Sequence, residues 1–143
     1  INIGVRHKTS DNIKLRQAFT VGIADEKNLV AADYVGIVSG HDVPDKMEKS
    51  GFHTVKSEFV DAPVIEELPI SLECRVEEIN QYDKTLRIVA EIVNVSVEEE
   101  ILDGDGKIDP EKLNAISYDP ANRTYLRVGE KVGKAFFDGK KLN

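Results

Sequence analysis

The sequence predicts a mainly β protein, a small antiparallel barrel or sandwich with short flanking helices. Two adjacent segments, 69–79 and 85–97, alternate apolar and polar residues with a period of two. The five residues between them are a hairpin-length connection. The other predicted elements are short and scattered, without the regular strand–helix alternation of a doubly wound α/β fold.

Both long segments have one apolar side. In 69–79 the apolar set, which predicts a half-buried antiparallel strand, is Ile70, Leu72, Cys74 and Val76. The polar set that alternates with it is Ser71, Glu73, Arg75 and Glu77. In 85–97 the predicted inward set is Leu86, Ile88, Ala90 and Ile92. Because Val93, Val95 and Val97 are apolar too, the pattern shifts, which predicts a bulge or burial on both faces.

Shorter elements precede and follow this pair. Strands are predicted at 1–6, 18–24 and 124–129, and helices at 28–38, 45–51 and 109–116. A further helix is expected to start after an N-cap at Thr9 or Ser10, since Asp11 then lies in its first turn. At 109–116 an Asp–Pro pair supplies the N-cap and the first helical residue. The tail after 129 is expected to combine extended chain and a last helical turn.

Composition limits the class of protein. The 143 residues suggest one domain spanning 1–143, with 41% hydrophobic and 31% charged residues. A net charge of -7 argues against nucleic-acid or anionic-membrane binding. The single cysteine, Cys74, cannot form an internal disulfide, so a reducing, cytoplasmic location is expected. No apolar run approaches the ~18 residues of a membrane span, so no membrane partner is expected.

Several candidate sites are better explained structurally. The tract 103–109 resembles a calcium loop, but Lys107 occupies a ligand position, so a Gly-rich turn is expected. Ser39, His41 and Asp42 lack the strained turn of a nucleophile and are expected to form a polar turn after a helix. His7, His41 and His53 show no metal-ligand spacing. Cys74, on an apolar strand face, is expected to pack in the core.

The basic stretch at residues 6–10 is the remaining candidate. Its alternatives are a solvated strand-to-helix turn and an anion site. At a helix start, free backbone N–H groups and the positive dipole end can receive a phosphate, together with the hydroxyls of Thr9 and Ser10. Arg6 can add a bidentate contact and Lys8 a point charge. The cluster therefore suits a phosphate monoester on a small ligand.

An ordered set of motifs resembles the flavin reductase-like, flavoredoxin-type family. They are "HKTSDNI", "AFTVGIADEKNLVAADYVGIVSGHDVPDKMEKSGF", "VKSEFVDAPVIEELPISLECRVEEI" and the tail "YLRVGEKVGKAFFDGKKL". Each motif is weak alone, but the order is specific and extends over essentially the whole chain. The resemblance implies an antiparallel split β-barrel of the Greek-key type with flanking short helices.

The resemblance also implies a homodimer that binds FMN near the subunit interface and transfers electrons through it. The electron donor would be NAD(P)H if the protein is a flavin reductase, or another redox protein if it is an electron carrier. The resemblance implies that the cofactor-binding residues are Arg6, His7, Lys8, Thr9, Ser10 and Asn12, and that Tyr125 lies near the flavin. No residue is expected to act as a catalytic acid or base, and no metal site is expected.

The resemblance has two departures. Two residues fewer separate the Arg from the Thr than is usual, which weakens the role of Arg6 relative to that of Thr9. Family members also usually begin roughly 40–50 residues earlier, so the domain is expected to lack N-terminal strands. This leaves a second reading open, a split-barrel homodimer that has lost flavin and acts as a binding module.

Overall fold

The computed structural model describes residues 1–142. A long antiparallel pair forms its centre, in a four-stranded sheet of order β1-β6-β5-β2. Two separate hairpins pair β3 with β4 and β7 with β8. The strands are β1 (Asn2–Gly4), β2 (Ala18–Ile23), β3 (Thr54–Lys56), β4 (Pro63–Ile65), β5 (Ile70–Gln81), β6 (Thr85–Val97), β7 (Ile116–Asp119) and β8 (Thr124–Arg127).

The helices are short and lie around the sheet. They are α1 (Lys8–Arg16), α2 (Leu29–Ile37), α3 (Lys46–Ser50) and α4 (Pro110–Leu113), with 3₁₀ turns at Glu99–Ile101 and Asp138–Leu142. The helices and strands predicted from the sequence are thus all present, most with shorter bounds. Within residues 1–142, no helix combines the length and the apolar character needed to cross a bilayer.

The core lies where α1 packs on one face of the sheet, here called the inner face. Its buried members are Ile13, Phe19, Cys74, Leu86 and Ile88. Only Ile13 comes from the helix, while the other four come from β2, β5 and β6. Each large side chain buried in this way stabilises the fold by about 1.5–3 kcal/mol.

The shifted pattern in β6 reflects bulges in the central pair. The register of β5 against β6 shifts between Glu73 and Cys74 and again between Val76 and Glu78. Cys74 pairs with Ile92 and Glu73 with Asn94, so Val93 is the extra residue of the first bulge. The predicted bulge is therefore confirmed.

The predicted solvent face of β5 is wrong over its first half. Ser71 and Glu73 are buried, Glu73 to 3% exposure, because the segment 52–69 with its β3–β4 hairpin covers the outer face of the sheet. Gly22 on β2 permits this close cover, since a Cβ there would overlap the Leu68 side chain. The sequence pattern did not indicate β3, β4 or β7, which are three or four residues long.

The inner face is open at its other end. Cross-strand pairing puts Ile92 beside Cys74 and Val95 beside Leu72, yet Ile92 is 53% and Val95 49% exposed. We call Ile92 and Val95 the open half of the inner face. Strand β1 pairs with β6 only at Thr85–Arg87, so within the described chain no strand lies against that edge at 89–97. The sheet is thus half of a barrel.

The tail after β8 ends in the 3₁₀ turn at Asp138–Leu142, which agrees with the predicted last helical turn. The adjacent Phe136 and Phe137 lie just before it in a turn, where Phe136 has a left-handed φ of 61°. Phe136 is 99% exposed. The ring of Phe137 has the ammonium groups of Lys134 and Lys140 over it, at 5.1 and 5.9 Å from its centroid.

Candidate functional site

The start of α1 is the centre of the candidate site. The predicted N-cap at Thr9 or Ser10 is wrong: His7 is the N-cap, with extended backbone angles and no side-chain capping bond. The His7 carbonyl accepts the N–H groups of Ser10 and Asp11. The N–H groups of Lys8 and Thr9 have no protein acceptor among residues 1–142, so they are free to bind an external anion.

Ser10 fixes this helix start from the inside. Its hydroxyl donates to the Gly4 carbonyl at 2.7 Å, and the side chain is fully buried. A Cβ at Gly4 would lie 2.7 Å from Cδ2 of His7, so the glycine makes room for the imidazole ring against β1. The expected phosphate contact from the Ser10 side chain is therefore wrong, because its hydrogen is used within the fold.

A groove with a volume of about 660 Å³ runs along α1. Its walls come from α1, the start of β2, the α2–α3 connection with the start of α3, and the β3–β4 hairpin. We call it the basic groove, after its charged lining side chains, which are Lys8, Arg16, Lys46, Lys56 and Asp61. Its apolar lining includes Ile13, Ala18, Phe19, Ala62, Pro63 and Ile65.

The charged side chains of the basic groove have different partners. Lys46 donates to the carbonyls of Val35 and Val38 at 2.8 and 3.1 Å, which secures the end of α2. Lys8 and Lys56 have no hydrogen-bonding or ion-pair partner within the described chain. Four cations and one carboxylate thus line a groove in an acidic protein, which gives an anionic ligand a local positive potential.

The α2–α3 connection packs directly on the helix start. A Cβ at Gly40 would lie 3.3 Å from both Cβ and Cγ of Lys8, so the glycine permits this close approach. Beside it, the His41 ring nitrogen Nε2 lies 3.2 Å from Oδ2 of Asp11 on α1. The Ser39 hydroxyl oxygen accepts the His41 N–H. The expectation of a polar turn here is confirmed, and its side chains hold the groove wall in place.

The structure divides the predicted cofactor-binding residues among four places, of which that of Tyr125 is described below. Lys8, Thr9 and Asn12 line the basic groove. Arg6 and His7 are exposed on the turn before α1 and do not line it. Ser10 is in the interior.

Tyr125 lies on β8, outside the lining of the basic groove. Its hydroxyl donates to Oδ1 of Asp33 on α2 at 2.7 Å, and its ring centroid is 5.6 Å from that of Tyr118. The hydrogen bond to Asp33 is the main cause of the raised pKa of Tyr125. This contact holds the β7–β8 hairpin against α2.

Two structural interpretations from the sequence are confirmed. Cys74 is buried in the core, and burial raises the pKa of its thiol, which lowers its reactivity. At 103–106 the chain forms a turn in which Oδ1 of Asp103 accepts the N–H groups of Lys107 and Asp105. Chiefly the bond from Lys107 lowers the pKa of Asp103.

Sequence reasoning missed most of the groove. Arg16, Lys46 and the pair Lys56 and Asp61 come from three separate segments, α1, α3 and the β3–β4 hairpin, and only the folded chain brings them to one surface. The start of α1 and the wall formed by the α2–α3 connection were predicted because local sequence patterns mark them. The β3–β4 wall has no comparable signal, since each strand is three residues long and no large apolar set alternates there.

The geometry and the comparisons with known proteins agree on the class of protein. The family model of the flavin reductase like domain matches residues 1–114. Flavoredoxin of Desulfovibrio vulgaris (Miyazaki F) is 34% identical, with a TM-score of 0.85, over 94% of this chain and 71% of that chain. Flavoredoxin from Methanosarcina acetivorans is 29% identical, with a TM-score of 0.91, over 100% of this chain and 75% of that one.

A more distant structure supports the fold alone. A split barrel domain from Shewanella frigidimarina NCIMB 400 is 19% identical, with a TM-score of 0.74, over 93% of this chain and 68% of that chain. The predicted split β-barrel is confirmed. The search of curated proteins gave no match. With most of its length matched by the family model, this chain belongs to the flavin reductase like domain family.

Proposed function

We propose that this chain binds FMN in the basic groove and is a redox protein, either a flavin reductase or a flavoredoxin-like electron carrier. The observation that carries the proposal is the pair of free N–H groups at Lys8 and Thr9, two residues that line a cationic groove. Family membership supports a flavin, and a helix start with two free donors favours a flavin that has a phosphate.

The residues present fit such a ligand. Lys8 supplies the charge, Thr9 a hydroxyl and Asn12 an amide at one end of the groove. Arg6 and His7, on the adjacent exposed turn, add positive or hydrogen-bonding groups near that end. Along the groove, Pro63 and Ile65 offer an apolar surface to a flat ring. When bound, FMN supplies the redox chemistry, and NAD(P)H or a reduced protein is the proposed electron donor.

The phosphate part of the proposal is tested by comparing FMN with riboflavin, which lacks the phosphate. In the wild type we expect FMN to bind more tightly. Lys8→Gln should weaken FMN about tenfold and leave riboflavin nearly unchanged, because one charge-assisted contact to phosphate is lost. Flavin fluorescence titration measures both affinities.

Lys14→Gln is the matched control for this experiment. Lys14 lies on the same helix, but its ammonium donates to Gln81 at 3.1 Å and it does not line the groove. Equal losses of FMN and riboflavin in Lys8→Gln, or an equal FMN loss in Lys14→Gln, would contradict the phosphate site. A purified protein that takes up no flavin at all would favour the alternative, a barrel that serves as a binding module.

We also propose that the chain is a homodimer. The open half of the inner face and the exposed ring of Phe136 are apolar surfaces that have no cover within residues 1–142, and a second copy would bury them. Strand β6 also has an unpaired edge at 89–97, which favours association. Tyr125 lies outside the groove of its own chain, so its proposed place near the flavin requires the groove of the second copy.

Light scattering tests the dimer. The wild type should give the mass of two chains at micromolar concentration, and Val95→Lys should give one, because the substitution buries a charge in the proposed interface. Tyr82→Lys is the control, since Tyr82 is similarly exposed but lies at the end of the β5–β6 pair. A monomeric wild type that binds FMN stoichiometrically would overturn the dimer and leave the flavin site intact.

A further inference from the structure

The basic groove has a second cationic end, which the phosphate site does not use. Lys8 begins α1 and Arg16 ends it. Eight helical steps of about 1.5 Å separate their backbones by roughly 12 Å along the axis. A phosphate held at the amino end of α1 therefore leaves Arg16 free for another ligand group. Lys56, on β3, lines the same groove.

Arg16 has one partner, Asp61, and the contact is end-on. Nη1 of Arg16 lies 2.9 Å from Oδ2 of Asp61. A guanidinium has five N–H donors, and no other acceptor for this one is found within residues 1–142. Most of its hydrogen-bonding capacity is thus unused. A phosphate or a carboxylate could accept two of those donors at once.

Asp61 is held in place by the loop that carries it. The Ser57 hydroxyl donates to buried Glu73, and its oxygen accepts the N–H groups of Phe59 and Val60. Glu73 in turn accepts from the Asn94 amide at 2.7 Å. After Asp61, the Pro63 carbonyl accepts the Thr20 hydroxyl at 2.6 Å. The loop is therefore anchored to the sheet on both sides of Asp61.

We infer that Arg16 and Lys56 form a second anion-binding subsite and that Asp61 occupies it when no ligand is present. Asp61 is the one carboxylate among the described lining residues, and it contacts the one lining guanidinium. An incoming phosphate or carboxylate displaces it by offering Arg16 two acceptors. The inference rests on the proposed function, because the second ligand binds beside FMN.

The subsite gives the groove a selection rule. A neutral ligand cannot replace the Asp61 carboxylate, so it meets a neutralised end of the groove. An anionic ligand gains both Arg16 and Lys56. Arg16 and Lys56 thus make this end of the groove select anionic ligands, while Asp61 lowers the affinity for them by competing for Arg16.

The test uses FMN-loaded full-length protein and two probes, inorganic phosphate and acetate, which separate the two ligand chemistries. Amide and Arg side-chain ¹H–¹⁵N shifts of Arg16 and Lys56 report binding, with sodium chloride at equal ionic strength as the reference. Arg16→Gln should weaken the preferred probe about tenfold, and Asp61→Asn should strengthen it about threefold. Lys56→Gln should weaken it less than Arg16→Gln does.

A matched ion pair is available as the control. Nη1 of Arg127 lies 3.0 Å from Oε2 of Glu26, with side chains 58% and 59% exposed, against 57% and 53% for Arg16 and Asp61. Arg127→Gln and Glu26→Gln should leave probe binding unchanged. Equal effects of the two pairs, or shifts equal to those in sodium chloride, would overturn the subsite.

The proposal of the second subsite and the proposal of the flavin site can be refuted independently. If the protein binds no FMN, the same titration on the flavin-free chain compares Arg16→Gln with Lys8→Gln. Loss of probe binding in Arg16→Gln alone would support the second subsite without the first. Normal FMN binding with no probe response at Arg16 would refute the second subsite and leave the proposed function standing.

Discussion

The two halves of the inner face are both apolar but differ in what covers them. Leu86 and Ile88 are 0% and 2% exposed under α1, whereas Ile92 and Val95 on the same strand are 53% and 49% exposed. Alternation correctly predicts which side chains share this face as far as Ile92, and the bulge at Val93 then brings Val95 to the same face. Burial depends on what the rest of the chain places over that face. In the covered half, the packed helix also forms the candidate site.

The largest expected effect comes from truncating one side chain in each half, which tests this comparison directly. Ile88→Ala should lower the free energy of unfolding by about 3 kcal/mol, since it leaves a cavity under α1. Ile92→Ala should cost about 0.5 kcal/mol in the separated chain, because its side chain is half exposed. Urea unfolding at several protein concentrations measures both.

The dependence on protein concentration should distinguish Ile88→Ala from Ile92→Ala further. The cost of Ile88→Ala should not depend on concentration, while that of Ile92→Ala should grow as the proposed dimer forms. Similar costs for the two substitutions at low concentration would show that the open half is covered within one chain.

A smaller effect separates two adjacent hydroxyls at the helix start. Ser10→Ala should destabilise the fold by about 1 kcal/mol, because the Gly4 carbonyl loses the Ser10 hydroxyl and keeps only the His7 N–H as a donor. Thr9→Val should leave the free energy of unfolding nearly unchanged and weaken FMN binding instead. Thermal unfolding and flavin titration on both variants give the comparison, and an exchange of the two phenotypes would contradict the assignment.

The smallest expected effect concerns His53, which precedes β3 and lies outside the groove lining. Its Nδ1 lies 2.6 Å from Oε1 of Glu67, and that hydrogen bond raises the pKa of His53 above its ordinary 6.5. Burial alone would raise the pKa of Glu67, but the hydrogen bonds from the His53 ring and backbone bring it below its ordinary 4.5.

The two shifts set a pH window. The stability from His53 is complete below pH 6.5 and is lost as pH rises through its raised pKa. The stability from Glu67 is complete above pH 4.5 and is lost as pH falls through its lowered pKa. His53→Gln should therefore lower Tm more at about pH 5.5 than at about pH 9. An equal loss at both would mean that protonation of His53 contributes nothing to stability.

The comparison of the two halves also explains how much the sequence could predict. The central pair, its bulge and the short helices could be predicted because each has a local signature in periodicity or capping residues. The burial of Glu73 could not, since the covering segment 52–69 has no strong periodicity and reaches the sheet only in the folded chain.

The candidate site shows the same limit. The basic stretch 6–10 marked the correct helix start, and Lys8 and Thr9 line the groove. Ser10 was misassigned because a buried serine and an N-cap serine look alike in sequence, and only the position of the Gly4 carbonyl distinguishes them. Arg16 and Asp61 are 45 residues apart, so no local pattern pairs them.

The central claim, that the start of α1 holds the FMN phosphate, is tested most directly by ¹H–¹⁵N NMR. Adding FMN should shift the amide signals of Lys8 and Thr9 strongly downfield, because these two N–H groups gain an anionic acceptor. Riboflavin should shift signals along the apolar lining of the groove but leave those two amides nearly unchanged. Saturating FMN that leaves both amides in place, or riboflavin that moves them equally, would contradict the account.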